Sequence, residues 1–337
     1  MKPPKLSRKT TVARDFIHAP SFTVIVSTVV VFLLFVVLVP NFMQPVNLAS
    51  MARTITTLLI TGFAMMAAIG MGAFDLSVGS TAGLAAIACA SCLSHGLGMA
   101  PSIVITLLVG MACGAINGAL IAGAGITPFV VTLGTFSAFE GISLLYTGGS
   151  SILIGNTAFQ HFGSASLGWF PVVALVPVVL GVAWVIVMRD TPFGKRILAI
   201  GGNIRAAQAI GLPVRTTRFA VFVIIGMSAA LAGIVEAATL LNVSPALGQD
   251  NYNLLTIAIV VIGGTSLRGG DVTVLGTVFG AMLIVFVQAG LQVMGLSPLL
   301  DGLVVGAVLI AALFLAAIRD RVHYRLIFGG RRTQRIT

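Results

Sequence analysis

Charged side chains are scarce in this sequence of 337 residues: Asp, Glu, Lys and Arg together make up 8%, whereas 58% of the residues are hydrophobic. Soluble domains carry about a quarter charged residues, so this composition cannot build a water-exposed surface. Three cysteines are too few for a disulfide scaffold or a four-thiolate metal site within one chain. The composition therefore predicts a membrane protein without a large soluble catalytic domain.

Motifs of the common catalytic and nucleotide-binding classes are missing as well. The stretch Gly194-Lys195-Arg196 lacks the first glycine and the hydroxyl of a GxxxxGK[ST] phosphate loop. Neither HExxH nor GxSxG occurs. We therefore expect no enzyme activity, no metal site and no cofactor in this chain, and any ATP hydrolysis would belong to another subunit.

Basic residues are concentrated in three segments, and their placement is more informative than the net charge of +10. They fall before residue 20, within 189–218 and within 319–337, and only Arg53 and Arg268 lie elsewhere. Basic loops beside apolar spans mark the cytoplasmic side of a membrane. We therefore assign these residues to orientation and contact with the lipid bilayer, and we expect no nucleic-acid partner.

Ten stretches approach the length of about 20 mostly apolar residues that a transmembrane helix needs. They lie at roughly 22–39, 54–74, 76–97, 102–123, 128–147, 170–188, 219–241, 253–266, 273–293 and 300–318. With ten spans and both termini cytoplasmic, 18 of the 19 basic residues lie inside, with Arg53 as the exception. Nine or eleven spans would place one basic cluster outside. The eighth stretch is short, which indicates a short or broken helix.

The predicted architecture is thus a single all-α, multi-pass transmembrane domain that covers residues 1–337. Its cytoplasmic parts are a basic N-terminus (1–20), a loop (189–218) and a basic tail (319–337).

Glycine is abundant inside the predicted spans, for example at Gly110, Gly114 and Gly118. Small residues let helices approach closely in a membrane, so close packing is the first interpretation. The alternative is that some glycines mark broken helices that line a cavity, as in transporters. The best candidates for such breaks are Gly263-Gly264 and Gly269-Gly270, on either side of the short eighth span.

Few polar side chains lie within the spans. Glu140 and Glu236 are the only glutamates, and a carboxylate in hydrocarbon suggests a pathway or a pair. Glu236 has an ordinary alternative, since it falls near a membrane interface. We predict Asn117, Thr132 and Glu140 as candidate residues of a translocation pathway, with interhelical hydrogen bonding as the alternative for the first two.

Asp75 and Asp271 each precede a predicted span. An aspartate in that position accepts backbone N–H groups and offsets the positive end of the helix. We therefore predict a structural, helix-capping role for both.

The loop at 189–218 contains a predicted short helix. Asn203 is a suitable N-cap, residues 204–210 favour a helix, and Gly211 with Pro213 ends it. From these residues alone, a docking element for a partner and an ordinary loop helix are equally good interpretations.

The same loop resembles the cytoplasmic loop of ribose-type sugar permeases of ABC importers, within a broader family that includes branched-chain amino-acid permeases. That pattern, TxFGRxxxAIGGNxxAAxxxGI, is matched at Thr191, Phe193, Gly194, Ala199 to Asn203, Ala206, Ala207 and Gly211, and Lys195 and Leu212 depart from it. Three further blocks are similar and occur in the family's order: 75–80, 117–118 with 128–135, and 260–267 followed by Gly269-Gly270.

The resemblance implies a permease subunit of the bacterial inner membrane that imports a monosaccharide or related polyol. Its implied partners are a second permease copy or paralogue, a periplasmic substrate-binding protein, and an ABC ATPase that holds ATP and Mg²⁺. The implied coupling helix spans about 202–212, and the residues assigned to ATPase coupling are Gly201, Gly202, Asn203, Ala206, Ala207 and Gly211.

Two points leave the substrate and mechanism open at this stage. Family members often have Arg-Gly where this chain has Glu140-Gly141, which puts the familiar sugar specificity in doubt. The alternative from another class is an ion-coupled secondary carrier that titrates Glu140 or Glu236 in the membrane.

Overall fold

The computed structural model describes residues 20–247, residues 251–296 and single helical positions at 302–303, 306–307 and 310. Most of the described chain is helical. The α-helices are α1 (Pro20–Leu38), α2 (Pro45–Gly70), α3 (Val78–Ser94), α4 (Met99–Gly118), α5 (Pro128–Thr147), α6 (Thr157–Ser164), α7 (Leu175–Asp190), α8 (Pro192–Gly202), α9 (Ile204–Ala209), α10 (Val214–Leu240), α11 (Tyr252–Ile262) and α12 (Val274–Val293). A π-helical turn (Ala119–Gly123) extends α4, and a 3₁₀ turn (Val172–Ala174) precedes α7.

Strands are limited to two short antiparallel pairs within the described residues. β1 (Ile152–Leu153) pairs with β4 (Asn242–Val243), and β2 (Ser166–Leu167) pairs with β3 (Phe170–Pro171). Because β4 follows α10 directly, this small sheet lies at the end of the bundle where α10 finishes. We call it the cap end.

The opposite end of the bundle is where α7 finishes and α10 begins. It carries the basic residues of 189–218, and we call it the basic end. Helix α2 also finishes there, since the carbonyl of its last residue, Gly70, accepts a hydrogen bond from Gly270 N and lies against Gly201 at the end of α8.

Helix α2 lies at the centre, because nearly every side chain from Thr56 to Gly70 is buried. It packs against α10, α11 and α12. Helix α10 packs in turn on α4, where a Cβ atom at Gly114 would overlap Phe222 O and one at Gly226 would overlap Gly110 O. The interpretation of these glycines as close-packing residues is confirmed.

Six helices in the described part of the chain have both the length and the hydropathy of a membrane span, and α1, α3 and α11 are shorter apolar helices. The chain is thus an all-α, multi-pass membrane protein, as the composition predicts. The short eighth span is confirmed, since α11 has only 11 residues. The predicted tenth span at 300–318 and both basic termini lie almost entirely outside the described residues.

Candidate coupling and translocation sites

The predicted short helix of the 189–218 segment is α9. The side-chain oxygen of Asn203 accepts a hydrogen bond from Ala206 N at 3.0 Å, which caps the helix. The chain leaves the helix at Gly211, which has a positive φ of 77°. Both features, the Asn203 cap and the terminating Gly211, are those that the sequence predicts.

On the N-terminal side of Asn203, the helix boundaries differ from the predicted coupling helix of about 202–212. Gly201 and Gly202 close a separate helix, α8, instead of opening the coupling helix. Helix α8 begins with Pro192 at its first turn, and the hydroxyl of Thr191 accepts a hydrogen bond from Gly194 N. A proline at the first helical position together with a threonine cap is a strong helix start, so this part of the expected loop is helical.

Helix α9 has one face on the protein and one face free. Ala207 is buried at 2% exposure, whereas Arg205 and Ala206 are exposed. Ile210, directly after the helix, is 74% exposed. The two alanines assigned to ATPase coupling therefore have different positions: Ala207 seats the helix, and Ala206 faces outward.

Beneath α8 and α9, three segments meet backbone to backbone at glycines. We call this the glycine junction, formed by Gly70 of α2, Gly201 of α8, and Gly269 and Gly270 of the loop after α11. Gly270 N donates to Gly70 O at 2.9 Å, and a Cβ atom at Gly201 would overlap that same carbonyl. Helix α8, the end of α2 and the α11–α12 loop are therefore in direct backbone contact, with no side chain between them.

Asp75 belongs to a buried polar network in the α2–α3 loop. Its carboxylate accepts hydrogen bonds from Ser77 N at 2.7 Å and from Ser77 Oγ at 2.6 Å. The amide of Asn117 donates to Ser77 Oγ at 2.8 Å and to Asp75 Oδ2 at 3.4 Å. Asn253 closes the loop from the other side by donating to Leu76 O at 3.2 Å. Asp75 thus holds the N–H group of the residue at the start of α3.

Asp271 does not cap α12. The cap is Thr273, whose hydroxyl accepts from Gly276 N at 2.9 Å and donates to Gly263 O at 3.0 Å. Asp271 stands two residues earlier and is exposed. Thr273 has the extended backbone, with φ of −137°, that places its side chain over the first turn.

The three candidate pathway residues do not form one cluster. Asn117 is buried in the Asp75 network, and its side-chain oxygen has no hydrogen-bond partner within the described residues. Thr132 is fully buried in α5, and Glu140 is half-buried on the same helix. No hydrogen bond joins any two of the three in the described chain. Their part in a translocation pathway stays a prediction.

A cavity at the cap end brings together polar residues that lie far apart in the sequence. It has a volume of about 260 Å³ and lies between α2, α10 and α11, where Arg53, Thr57, Glu236 and Tyr252 line it. The sequence gives one indication of this site, since Arg53 is the single basic residue that the ten-span topology places on the non-cytoplasmic side.

The chain belongs to the family described as the branched-chain amino acid transport system permease component, which matches residues 47–313. The resemblance found in the sequence blocks is thereby confirmed. Similar proteins include the ribose import permease protein RbsC of Bacillus subtilis, 34% identical over 83% of this chain and 87% of that protein. RbsC of Escherichia coli strain K12 is 31% identical over 82% of this chain and 87% of its own length.

A third relative, the autoinducer 2 import system permease protein LsrD of Salmonella typhi, is 32% identical over 77% of this chain and 80% of its own length. No solved structure matches the chain significantly. The alternative of an ion-coupled carrier finds no support in the matched family or in these relatives.

Proposed function

We propose that this chain is the transmembrane permease subunit of a bacterial ABC importer for a monosaccharide or related polyol. The observation that carries the proposal is the capped helix α9, which presents a free face directly after α8 and its glycine junction, in a chain that belongs to this permease family. The names of the relatives, ribose and autoinducer 2 import permeases, support a sugar or a sugar-like solute.

The orientation in the inner membrane follows from charge. Six basic residues lie at the basic end of the bundle, which would be the cytoplasmic end: Arg189, Lys195, Arg196, Arg205, Arg215 and Arg218. Ten spans with both termini cytoplasmic agree with this placement. The cap end would then face the periplasm and receive the solute from a substrate-binding protein.

The partner ATPase would dock on α9 and would supply ATP and Mg²⁺, since this chain has no phosphate loop. The small side chain of the exposed Ala206 would let α9 fit into a groove of the partner. The exposed Ile210 beside it would provide an apolar contact. Gly201, Gly202, Asn203, Ala207 and Gly211 would shape and seat the helix rather than contact the ATPase.

A second permease copy or a paralogue would complete the conduit. Helices α4, α5 and α7 leave faces for a second copy as well as for lipid, because only 33%, 28% and 33% of their span residues are buried within one chain. Closure of the ATPases would push α9, and the glycine junction would pass the movement to α2 and the α11–α12 loop. The bundle would thereby alternate between inward and outward access.

The test is a charge placed on the free face of α9. Ala206→Glu in the complete importer is expected to abolish co-purification of the ATPase and ATP-driven uptake, because the new carboxylate is desolvated on docking. Ala124→Glu is the matched control, since it makes the same change at another exposed alanine, in the α4–α5 turn.

Retention of the ATPase by Ala206→Glu would contradict the assignment of α9. Accumulation of a solute by the permease alone in liposomes, driven by an ion gradient, would contradict the importer itself.

A further inference from the structure

The cap-end cavity holds two opposite charges. Arg53 lies eight residues after the start of α2, and Glu236 lies one turn before the end of α10. Both side chains are half-buried, and within the described residues neither takes part in an ion pair. A carboxylate and a guanidinium that are partly removed from water without a partner carry a desolvation cost. A ligand that hydrogen-bonds to both would offset that cost.

The walls of the cavity supply further hydrogen-bonding groups. Thr57, whose hydroxyl donates to Thr54 O at 3.2 Å and keeps its acceptor capacity, lines the cavity, and Thr239 lines the same space. The phenol of Tyr252 donates to Thr57 O at 2.8 Å and lies 3.2 Å from the hydroxyl of Thr61. These bonds fix the Tyr252 ring, so the cavity is built before any ligand arrives.

Glu236 and Tyr252 also form the floor of the cavity. Both line a second, smaller pocket of about 50 Å³ together with Ala82 and Gly233, on the side toward the basic end. A solute in the larger cavity would therefore rest on the two residues that separate it from the interior of the bundle.

The composition of the cavity selects a class of ligand. An ion of either sign meets one like charge in this cavity, at Arg53 or at Glu236, and leaves that group without a hydrogen-bonding partner. A neutral polyol avoids both penalties, because each of its hydroxyl groups both donates to a carboxylate and accepts from a guanidinium. Leu58 and Leu255 provide apolar surface for its C–H groups. The volume of about 260 Å³ is near the lower end of small-molecule pockets, about 300 Å³.

We propose that this cavity is a binding site for one neutral, monosaccharide-sized polyol within a single protomer at the cap end. The chemical class agrees with the proposed import function and rests on it. The location does not depend on a dimer axis, since α2, α10 and α11 of one chain contribute all the lining residues.

The test uses the full-length permease alone in lipid nanodiscs, without ATPase or binding protein. The probes are D-ribose, D-galactose and ribitol, titrated and observed by saturation-transfer NMR. At least one probe is expected to bind saturably. Glu236→Gln is expected to weaken binding by about tenfold, the loss of one charge-assisted hydrogen bond, and Thr57→Val by about fivefold, the loss of one neutral hydrogen bond. Asp271→Asn, which neutralises an exposed carboxylate outside the cavity, is the matched control.

A second measurement does not depend on the folding of these variants. Thr239→Cys is expected to react with a membrane-impermeant thiol reagent, above the reaction of the native cysteines, and the bound polyol is expected to slow that reaction. The proposal is overturned if none of the three probes binds, if Asp271→Asn weakens binding as much as Glu236→Gln does, or if the introduced cysteine reacts equally with and without polyol.

The two proposals fail separately. Loss of ATPase binding in Ala206→Glu without any polyol binding to the permease would leave the importer standing and remove this site. Polyol binding to the permease, together with retention of the ATPase by Ala206→Glu, would support this site and contradict the docking role of α9.

Discussion

The two ends of this bundle differ in residue composition and in packing. At the basic end, three chain segments meet through glycine backbones, and no side chain separates Gly70 from Gly201 and Gly270. At the cap end, α2 and α10 stand far enough apart to leave about 260 Å³ between polar side chains such as Arg53 and Glu236.

The difference agrees with the proposed roles of the two ends. Protein interiors transmit displacement when they are close-packed, because there is no free volume to absorb it. A junction without side chains is the tightest form of such packing. A solute, in contrast, needs space and unpaired polar groups, which a membrane protein otherwise avoids. The same helix, α2, contributes to both ends and connects them.

The largest expected effect is at the junction. A methyl group at Gly201 would overlap Gly70 O, whereas one at the adjacent Gly202 would have no atom within 4 Å. Gly201→Ala is therefore expected to lower the free energy of unfolding by about 1–3 kcal/mol, the usual cost of overpacking. Gly202→Ala is its matched control for stability. Unfolding in mixed micelles measures both, and equal stabilities for the two variants would show that the junction is not tight.

An effect of similar size is expected in the Asp75 network. Asn117→Leu removes the donor to Ser77 Oγ and Asp75 Oδ2, which leaves a buried carboxylate with fewer partners. The expected loss of stability is about 1–3 kcal/mol. Because the residues act together, Ser77→Ala combined with Asn117→Leu should destabilise less than the sum of the two single changes. Strictly additive effects would indicate that Asn117 does not support the loop.

A smaller effect is expected at α9. Asn203→Ala removes the bond to Ala206 N, which is worth about 1 kcal/mol to a helix. Faster hydrogen exchange at Ala206 and a lower ATPase rate in the assembled importer should follow. Asn203→Ser retains a capping oxygen and should restore both. If the serine variant behaved like the alanine variant, the cap would not be the reason for the asparagine.

The sequence predicts the spans well where the apolar run and the helix coincide. The predicted span 128–147 has the same bounds as α5, and the N-cap of α9 is where the sequence places it. Helix α2 is different: the predicted span begins at 54, but the helix begins at Pro45. A charge at Arg53 ends a hydropathy run, yet the helix starts earlier, at a proline in its first turn, and Arg53 lines a cavity instead of packing into the core.

The contacts that define the two ends could not be predicted in this way. The glycine junction joins residues near 70, 201 and 270, and the cavity joins α2, α10 and α11. Each glycine and each charge is visible in the sequence, but the pairing depends on how the helices pack. Asp271 shows the same limit locally, because backbone geometry at Thr273 decides which residue reaches the first turn of α12.

The smallest expected effect separates the two ends most directly. Thr54 lines the cap-end cavity and is exposed, so Thr54→Leu places a larger side chain in open space. We expect a change in the free energy of unfolding within about 0.5 kcal/mol, as for other surface substitutions. One methyl group at Gly201 would then cost more than the larger side chain of leucine here. A loss of stability comparable with that of Gly201→Ala, measured in the same micelles, would mean that the cap end is packed as tightly as the junction and that the cavity closes in the folded protein.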